Sequence, residues 1–410
     1  MADPLLRAVA HFVWPVRLAF SLCCAVLVLP VWTAADETDS AKARGAYREA
    51  IQRASADLRE GKIEAAGKEL GGTEASLQGF EAKLLAARVK AGTEGKGAPS
   101  LIGRVPHPDV EVRYGVLLDP ARQVVFLCRD GSLRVYDLAA PGAAKSTAKH
   151  PEGVAIWSGA VSRDGKTFFC GHQNGDVLVW ETAKWELKHK IGLGEDWPVR
   201  ELAAAPDGTA FVAETKGALV LWSLGEGEGE PKKVAEVGER YNFGEGLSYS
   251  PAGDLIATGG MFDILLHDAK TGKHLRSMSH ASYTMGLEFS PDGKRIASAP
   301  RGNVNKFLAV FDKDGDQPLF NAGPFPNYIT GLAFTPDGLR IAATGCEKRL
   351  RLFDAATGDI LLEIERTDCG SKPAFSRDGQ LLGWSEPLGY RFIDLKNPQQ
   401  GMEDEEVAVP

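Results

Sequence analysis

The chain has 410 residues, with 47 Lys and Arg against 55 Asp and Glu and a formal net charge of −8. That balance argues against nucleic acid as a partner, because phosphate contacts need clustered Lys and Arg; only a local basic patch stays open. With 44% hydrophobic and 25% charged residues, the composition is that of an ordinary globular protein, long enough for two or three domains.

The first 35 residues stand apart. Arg7, His11 and Arg17 lead into an apolar run at residues 18–31, followed by Thr33-Ala34-Ala35 and Asp36. A basic lead, a short apolar run and a small-x-small site read as a secretory signal peptide. The run falls short of the roughly 20 residues of a spanning helix, and Pro30 interrupts its end. An uncleaved N-terminal anchor is the alternative, and the only membrane contact expected. A lipoprotein reading of Cys23-Cys24 meets Leu22 where a small residue belongs. Either main route exports the remainder to a periplasmic, secreted or cell-envelope location. Cleavage leaves Cys128, Cys170, Cys346 and Cys369. An even count in an oxidising compartment permits disulfides, but four buried strand thiols are the expectation, since no pair has metal-site spacing.

Residues 36–90 carry helical spacing. Tyr47, Ile51, Ala54 and Leu58 fall on one face, as do Leu77, Phe80, Leu84 and Ala87. The segment reads as a helical hairpin or short coiled coil, open to self-association or a second partner. GKIEAA at 61–66 resembles a fragment of a tetratricopeptide repeat, but a single partial copy does not make a stack. A Gly-rich linker follows at 91–99.

From residue 100 a phrase recurs: apolar strand, Ser-Pro-Asp-Gly-like turn, second strand, tight turn, and a third strand ending in aromatic-Asp. Its turn glycines are Gly165, Gly208, Gly253, Gly293, Gly338 and Gly379, at intervals of 43, 45, 40, 45 and 41. A degenerate copy, Asp119-Pro120-Ala121-Arg122, stands 43 before Gly165. That period marks the four-stranded blade of a propeller. Asp130-Gly131 and Asn174-Gly175 supply the positive φ of two-residue hairpins between second and third strands.

Residues 100–396 resemble the WD-repeat β-propeller family. The repeat-closing dipeptide appears as Tyr136-Asp137, Trp180-Glu181, Trp222-Ser223, His267-Asp268, Phe311-Asp312, Phe353-Asp354 and Ile393-Asp394, hence seven blades. True Trp-Asp never occurs, and the family's Gly-His element survives mainly as His280. The fold expected is all-β: a seven-bladed propeller preceded by the helical segment. The last repeat holds only three strands, so residues 101–105 are expected to supply its fourth and close the ring. The tail at 397–410, with Glu403-Asp404-Glu405-Glu406, reads as disordered and acidic.

Catalytic motifs are missing: no Gly-x-Ser-x-Gly, no Walker loop, no His-Glu-x-x-His, no Cys-x-x-Cys. No catalytic residue and no cofactor is assigned. Asp312, Asp314 and Asp316 alternate like a calcium loop, yet Gly323 stands where its closing Glu belongs. The resemblance implies partner docking on the top face, where innermost strands begin. Phe243, Tyr283 and Tyr328 stand ten before the turn glycines of three consecutive blades; Trp197, Arg200 and Trp157 lie in the corresponding segments. Aromatic contacts at such a face suit a protein or peptide partner, unless the rings pack between blades. The expected function is a non-catalytic interaction scaffold. The alternatives are an exported propeller hydrolase or lactonase-like enzyme with an axial site, and a structural envelope component.

Overall fold

The computed structural model describes residues 34–93, 102–194, 197–215, 218–225, 229–237, 246–280, 283–301, 307–365, 371–387, 389–396 and 407–408. Residues 1–43 and 44–410 separate as two compact units. Of the first, only the start of helix α1 (Ala34–Arg59) is described, so residues 1–33 of the signal-peptide or anchor segment lie outside the described residues. Among the described residues no helix is long and apolar enough to cross a membrane.

In the second unit the strands form seven antiparallel meanders. Blade two shows the plan. Its innermost strand Ile156–Val161 pairs with Thr167–His172, then Asp176–Glu181, then the outermost Glu186–Gly192. The innermost strands of consecutive blades touch all the way round: Val112–Leu118, Ile156–Val161, Glu201–Ala204, Leu247–Tyr249, Tyr283–Phe289, Ile329–Phe334, Ser371–Phe375 and back to the first. Crowding toward the axis demands small residues there. A Cβ added at Gly331 would stand 2.6 Å from the Lys372 amide nitrogen in the next blade.

The recurring turn is built identically in four blades. In blade five the Ser290 hydroxyl meets Asp292 Oδ1 at 2.5 Å and accepts the Arg295 N–H at 2.9 Å, while Gly293 takes φ 70°. Ser162-Asp164, Thr335-Asp337 and Ser376-Asp378 repeat the arrangement. In the degenerate first copy Arg122 itself takes the positive φ, 51°. The acid of the closing dipeptide works locally: Asp354 Oδ1 accepts the Ala356 N–H at 2.8 Å, and Asp312 Oδ1 that of Asp314 at 2.8 Å.

Closure follows the expected route. The strand Ile102–Pro106 pairs antiparallel with Gly389–Asp394, from Ile102 opposite Ile393 to Pro106 opposite Gly389. It is the outermost strand of blade seven, and its Ile102 and Val105 are buried. The tail departs from expectation at one point: Val407–Ala408 pair with Ile360–Glu365 as a fifth strand on blade six. The outer strand there offers free N–H and C=O groups, and an apolar dipeptide suits it better than the preceding acids.

The helical segment has three helices, α1, α2 (Ile63–Gly71) and α3 (Phe80–Thr93), so α3 runs three residues into the expected linker. Tyr47, Ile51 and Ala54 of α1 pack with Ala66, Leu70, Ala82 and Leu85. The other face of α3 enters the propeller: Phe80 and Leu84 join Leu352, Leu362, Trp384 and Ile102. The apolar faces expected to be available for self-association are spent within the chain. A buried ion pair fixes the seat, with Glu81 fully buried and Arg340 Nε donating to its Oε1 at 2.8 Å. The Tyr47 hydroxyl donates to the same oxygen at 2.5 Å, and Arg340 Nη2 donates to Leu77 O at 2.7 Å.

The expectation of four thiols fails at one position. Cys346 is disulfide-bonded, whereas Cys128 and Cys170 are free and buried. Cys346 follows the strand Arg340–Gly345 in a half-buried hairpin, where a second sulfur can approach; the other two are enclosed in the sheets. Cys369 lies outside the described residues.

Candidate functional site

In each blade the chain enters the innermost strand at one end, returns to that end through the second strand, and turns there into the third. The starts of innermost strands and the second-to-third hairpins therefore share one face, the top. The Ser-Pro-Asp-Gly turns share the other.

The expected aromatic residues are distributed as follows. Phe243 lies outside the described residues. Tyr283 and Tyr328 occupy equivalent places: Tyr283 pairs with Arg301 at the end of blade five, and Tyr328 immediately precedes Ile329–Phe334. Tyr283 is half-buried, and Tyr328 is 38% exposed. Trp197 is 45% exposed, and Arg200 is exposed with its N–H bonded to Glu214 O. Trp157 sits deeper. It is a bulge residue between Ile156 and Ser158, half-buried, with Arg113 and Arg129 over its ring. Packing between blades thus accounts for part of Tyr283 and Trp157, but not for Trp197 or Tyr328.

Two top-face residues escaped the sequence reading. Met261 and Phe262 form the tip of the second-to-third hairpin in blade four, exposed by 45% and 63%. Their signal was present, since hairpin tips favour Gly, Asn and Asp, and a Met-Phe pair there breaks the rule. Among the described residues, all the aromatics in the set of exposed large apolar side chains (Trp197, Phe262 and Tyr328) lie on the top face.

A charged side chain braces the axial channel. Lys372, on the innermost strand of blade seven, reaches Glu201 of blade three at 2.9 Å and the Tyr114 hydroxyl of blade one at 3.2 Å. Blades seven and three are not neighbours, so this side chain crosses the axis. Burial opposes its charge, but Glu201 and Tyr114 outweigh it and hold the ammonium protonated, above the ordinary lysine value. Glu288, on the innermost strand of blade five, accepts the Phe334 N–H at 3.3 Å; burial pushes its carboxyl up to about 8.

Histidines serve the blades. His150 meets Asp176 at 3.3 Å, His172 Nδ1 meets Val154 O at 2.9 Å, and Trp180 Nε1 donates to Cys170 Sγ at 3.2 Å. His280 meets the Ser298 hydroxyl at 3.0 Å beside Phe311. His267 is bonded to Thr258 at 3.2 Å. Burial pushes the Cys128 and Cys170 thiols up, to about 11 and about 12, so neither is an activated nucleophile.

The calcium pattern is not brought together. Asp312 caps its own turn, Asp314 meets Lys313 Nζ at 2.6 Å, and Asp316 pairs with Arg276. Among the described residues no group of three or more His, Cys, Asp or Glu is placed to hold a metal ion. On the opposite face, a groove of about 590 Å³ between blades one and two is lined by Asp119, Lys145, Asp164, Lys166 and Trp185.

Comparison with known families gives a match within blades five and six. Residues 321–354 fit the family model described as WD domain, G-beta repeat. The match runs from the outermost strand of blade five, Pro318–Ala322, to the closing Phe353-Asp354 of blade six. Within a ring of seven such units, that match supports the WD-repeat propeller family.

The chain is a seven-bladed β-propeller, and its blade-six repeat matches the WD repeat. The matched WD repeat of blade six carries Thr335-Asp337-Gly338 at its turn and Phe353-Asp354 at its close. WD-repeat propellers are in general protein-binding scaffolds, and the rigid ring described above is consistent with that role.

Proposed function

We propose that the protein is an exported, non-catalytic scaffold whose top face binds a protein or peptide. The observation that carries the reading is the gathering of exposed aromatic side chains, Trp197, Phe262 and Tyr328, on that one face of a closed ring. Such rings offer large contact area at small entropic loss, and loops anchored in a ring of sheets lose little freedom on binding. Export rests on the pattern of residues 1–35, and the Cys346 disulfide suits an oxidising compartment.

Affinity capture with the wild-type protein and with a Trp197→Ala, Phe262→Ser, Tyr328→Ala variant tests the reading. The three positions are exposed, so the melting temperature is expected to stay unchanged while the captured partner is lost. Equal capture by both proteins would move the site elsewhere. N-terminal sequencing of the natural protein tests export, with Asp36 the expected first residue.

A further inference from the structure

Arg113, Trp157 and Arg129 meet at the top face where blade one joins blade two. Arg113 is the residue squeezed out between Val112 and Tyr114 in the innermost strand of blade one. Trp157 holds the corresponding bulge in blade two. Arg129 opens the hairpin after the strand Gln123–Cys128. The two guanidinium carbons lie 4.9 and 5.0 Å from the centroid of the one indole ring.

What surrounds this stack is incomplete. Among the described residues the Arg113 side chain makes no hydrogen bond or ion pair, and its guanidinium is exposed. Arg129 Nε lies 3.3 Å from Glu111 Oε1 but is not aligned with it, so that donor is unmatched. The Trp157 indole N–H is shut off from solvent and has no acceptor. One exposed guanidinium without a hydrogen-bond partner thus stands over the indole, beside a second that holds only Glu111, in a chain whose net charge is −8.

We propose that this stack is a receptor for a carboxylate side chain, the Asp or Glu of an acidic segment in the partner docked on the top face. The proposal rests on the top-face reading and supplies the chemistry of its partner. Guanidinium groups match carboxylates through paired N–H donors, and stacking on an indole fixes their planes before the ligand arrives. Partial burial strengthens the attraction relative to open water. Glu111, with 75% of its side chain exposed and only a misaligned contact, is the resident competitor that a partner carboxylate displaces into solvent.

The test is selection from a random peptide library on the full mature protein, followed by titration of one selected peptide. Wild type is expected to enrich Asp or Glu at a fixed position. Arg113→Ala should weaken the selected peptide about tenfold or more, and Arg113→Lys by less, since it keeps the charge and loses the fork. Glu111→Gln should tighten binding several-fold, and added salt should weaken it. Arg113 and Glu111 are both exposed, so these variants keep the fold. Peptides with no acidic position, or affinity unchanged in Arg113→Ala, overturn the carboxylate receptor and leave the top face standing. Failure to enrich any peptide, or enrichment of peptides that bind the opposite face, overturns both.

Discussion

Burial in the axial channel sets the charge of Glu288, whose carboxyl is pushed up to about 8. An unfolded Glu titrates near 4.3, so between about 4.5 and 8 the folded protein holds a proton that the unfolded chain has lost. Stability therefore falls as pH rises through that window. His172 and His267 act oppositely: burial pushes both down to about 4, against about 6.5 unfolded. Their contribution is complete above about 6.5 and is lost as pH falls toward 4. Above about 6.5, Glu288 is the one of these three groups whose contribution still changes, and it lowers stability as pH rises toward 8. Thermal melts of wild type and Glu288→Gln check this. The variant should gain stability relative to wild type as pH rises from about 5 to 8.5; a constant difference across that range would contradict the assignment. None of this was legible in the sequence. Glu288 is one of many acids until the ring closes around it, and Lys372 meets Glu201 only because blades seven and three face each other across the axis.

The element that closes the ring was legible, because the last repeat lacked a strand and residues 101–105 stood where an outer strand belongs. The pairing of Ile102–Pro106 with Gly389–Asp394 adds ladder hydrogen bonds of about 1 kcal/mol each and buries Ile102 and Val105. A chain beginning at Asp109 should lose at least ~3 kcal/mol on these terms and aggregate through the bared strand. Denaturant unfolding equal to that of a chain beginning at Ser100 would refute the latch. The seat of the helical segment was not legible. Amphipathic spacing shows that a face will be buried, never against what, and the decisive pair, Glu81 with Arg340, is separated by 259 residues. Glu81→Ala leaves the buried Arg340 guanidinium with only its longer carboxylate contact, to Asp354 at 3.6 Å, and should cost about 3 kcal/mol. Replacing both, as Glu81→Leu with Arg340→Met, should cost less than either single change, and a larger loss in the double variant would show that the ion pair is not the fastening.

At the scale of the whole molecule, the repeat period of 40–45 residues was enough to read the architecture, because each blade buries its faces only against its neighbours. The exposure of residues on the proposed binding face was read in part. Tyr328 and Trp197 are exposed as their positions required, Trp157 turned out to be bracketed by arginines, and Phe262 was overlooked at a hairpin tip. Closure turns these scattered residues into one surface, and the account stands on that surface being the one that binds. Hydrogen–deuterium exchange of the protein, with and without a library-selected peptide, tests this most directly. Protection is predicted at the top-face segments around Arg129, Trp157, Met261-Phe262 and Tyr328. Protection confined to the opposite turns at Asp164-Gly165 and Asp337-Gly338, or to the groove beside Lys145 and Trp185, would contradict it.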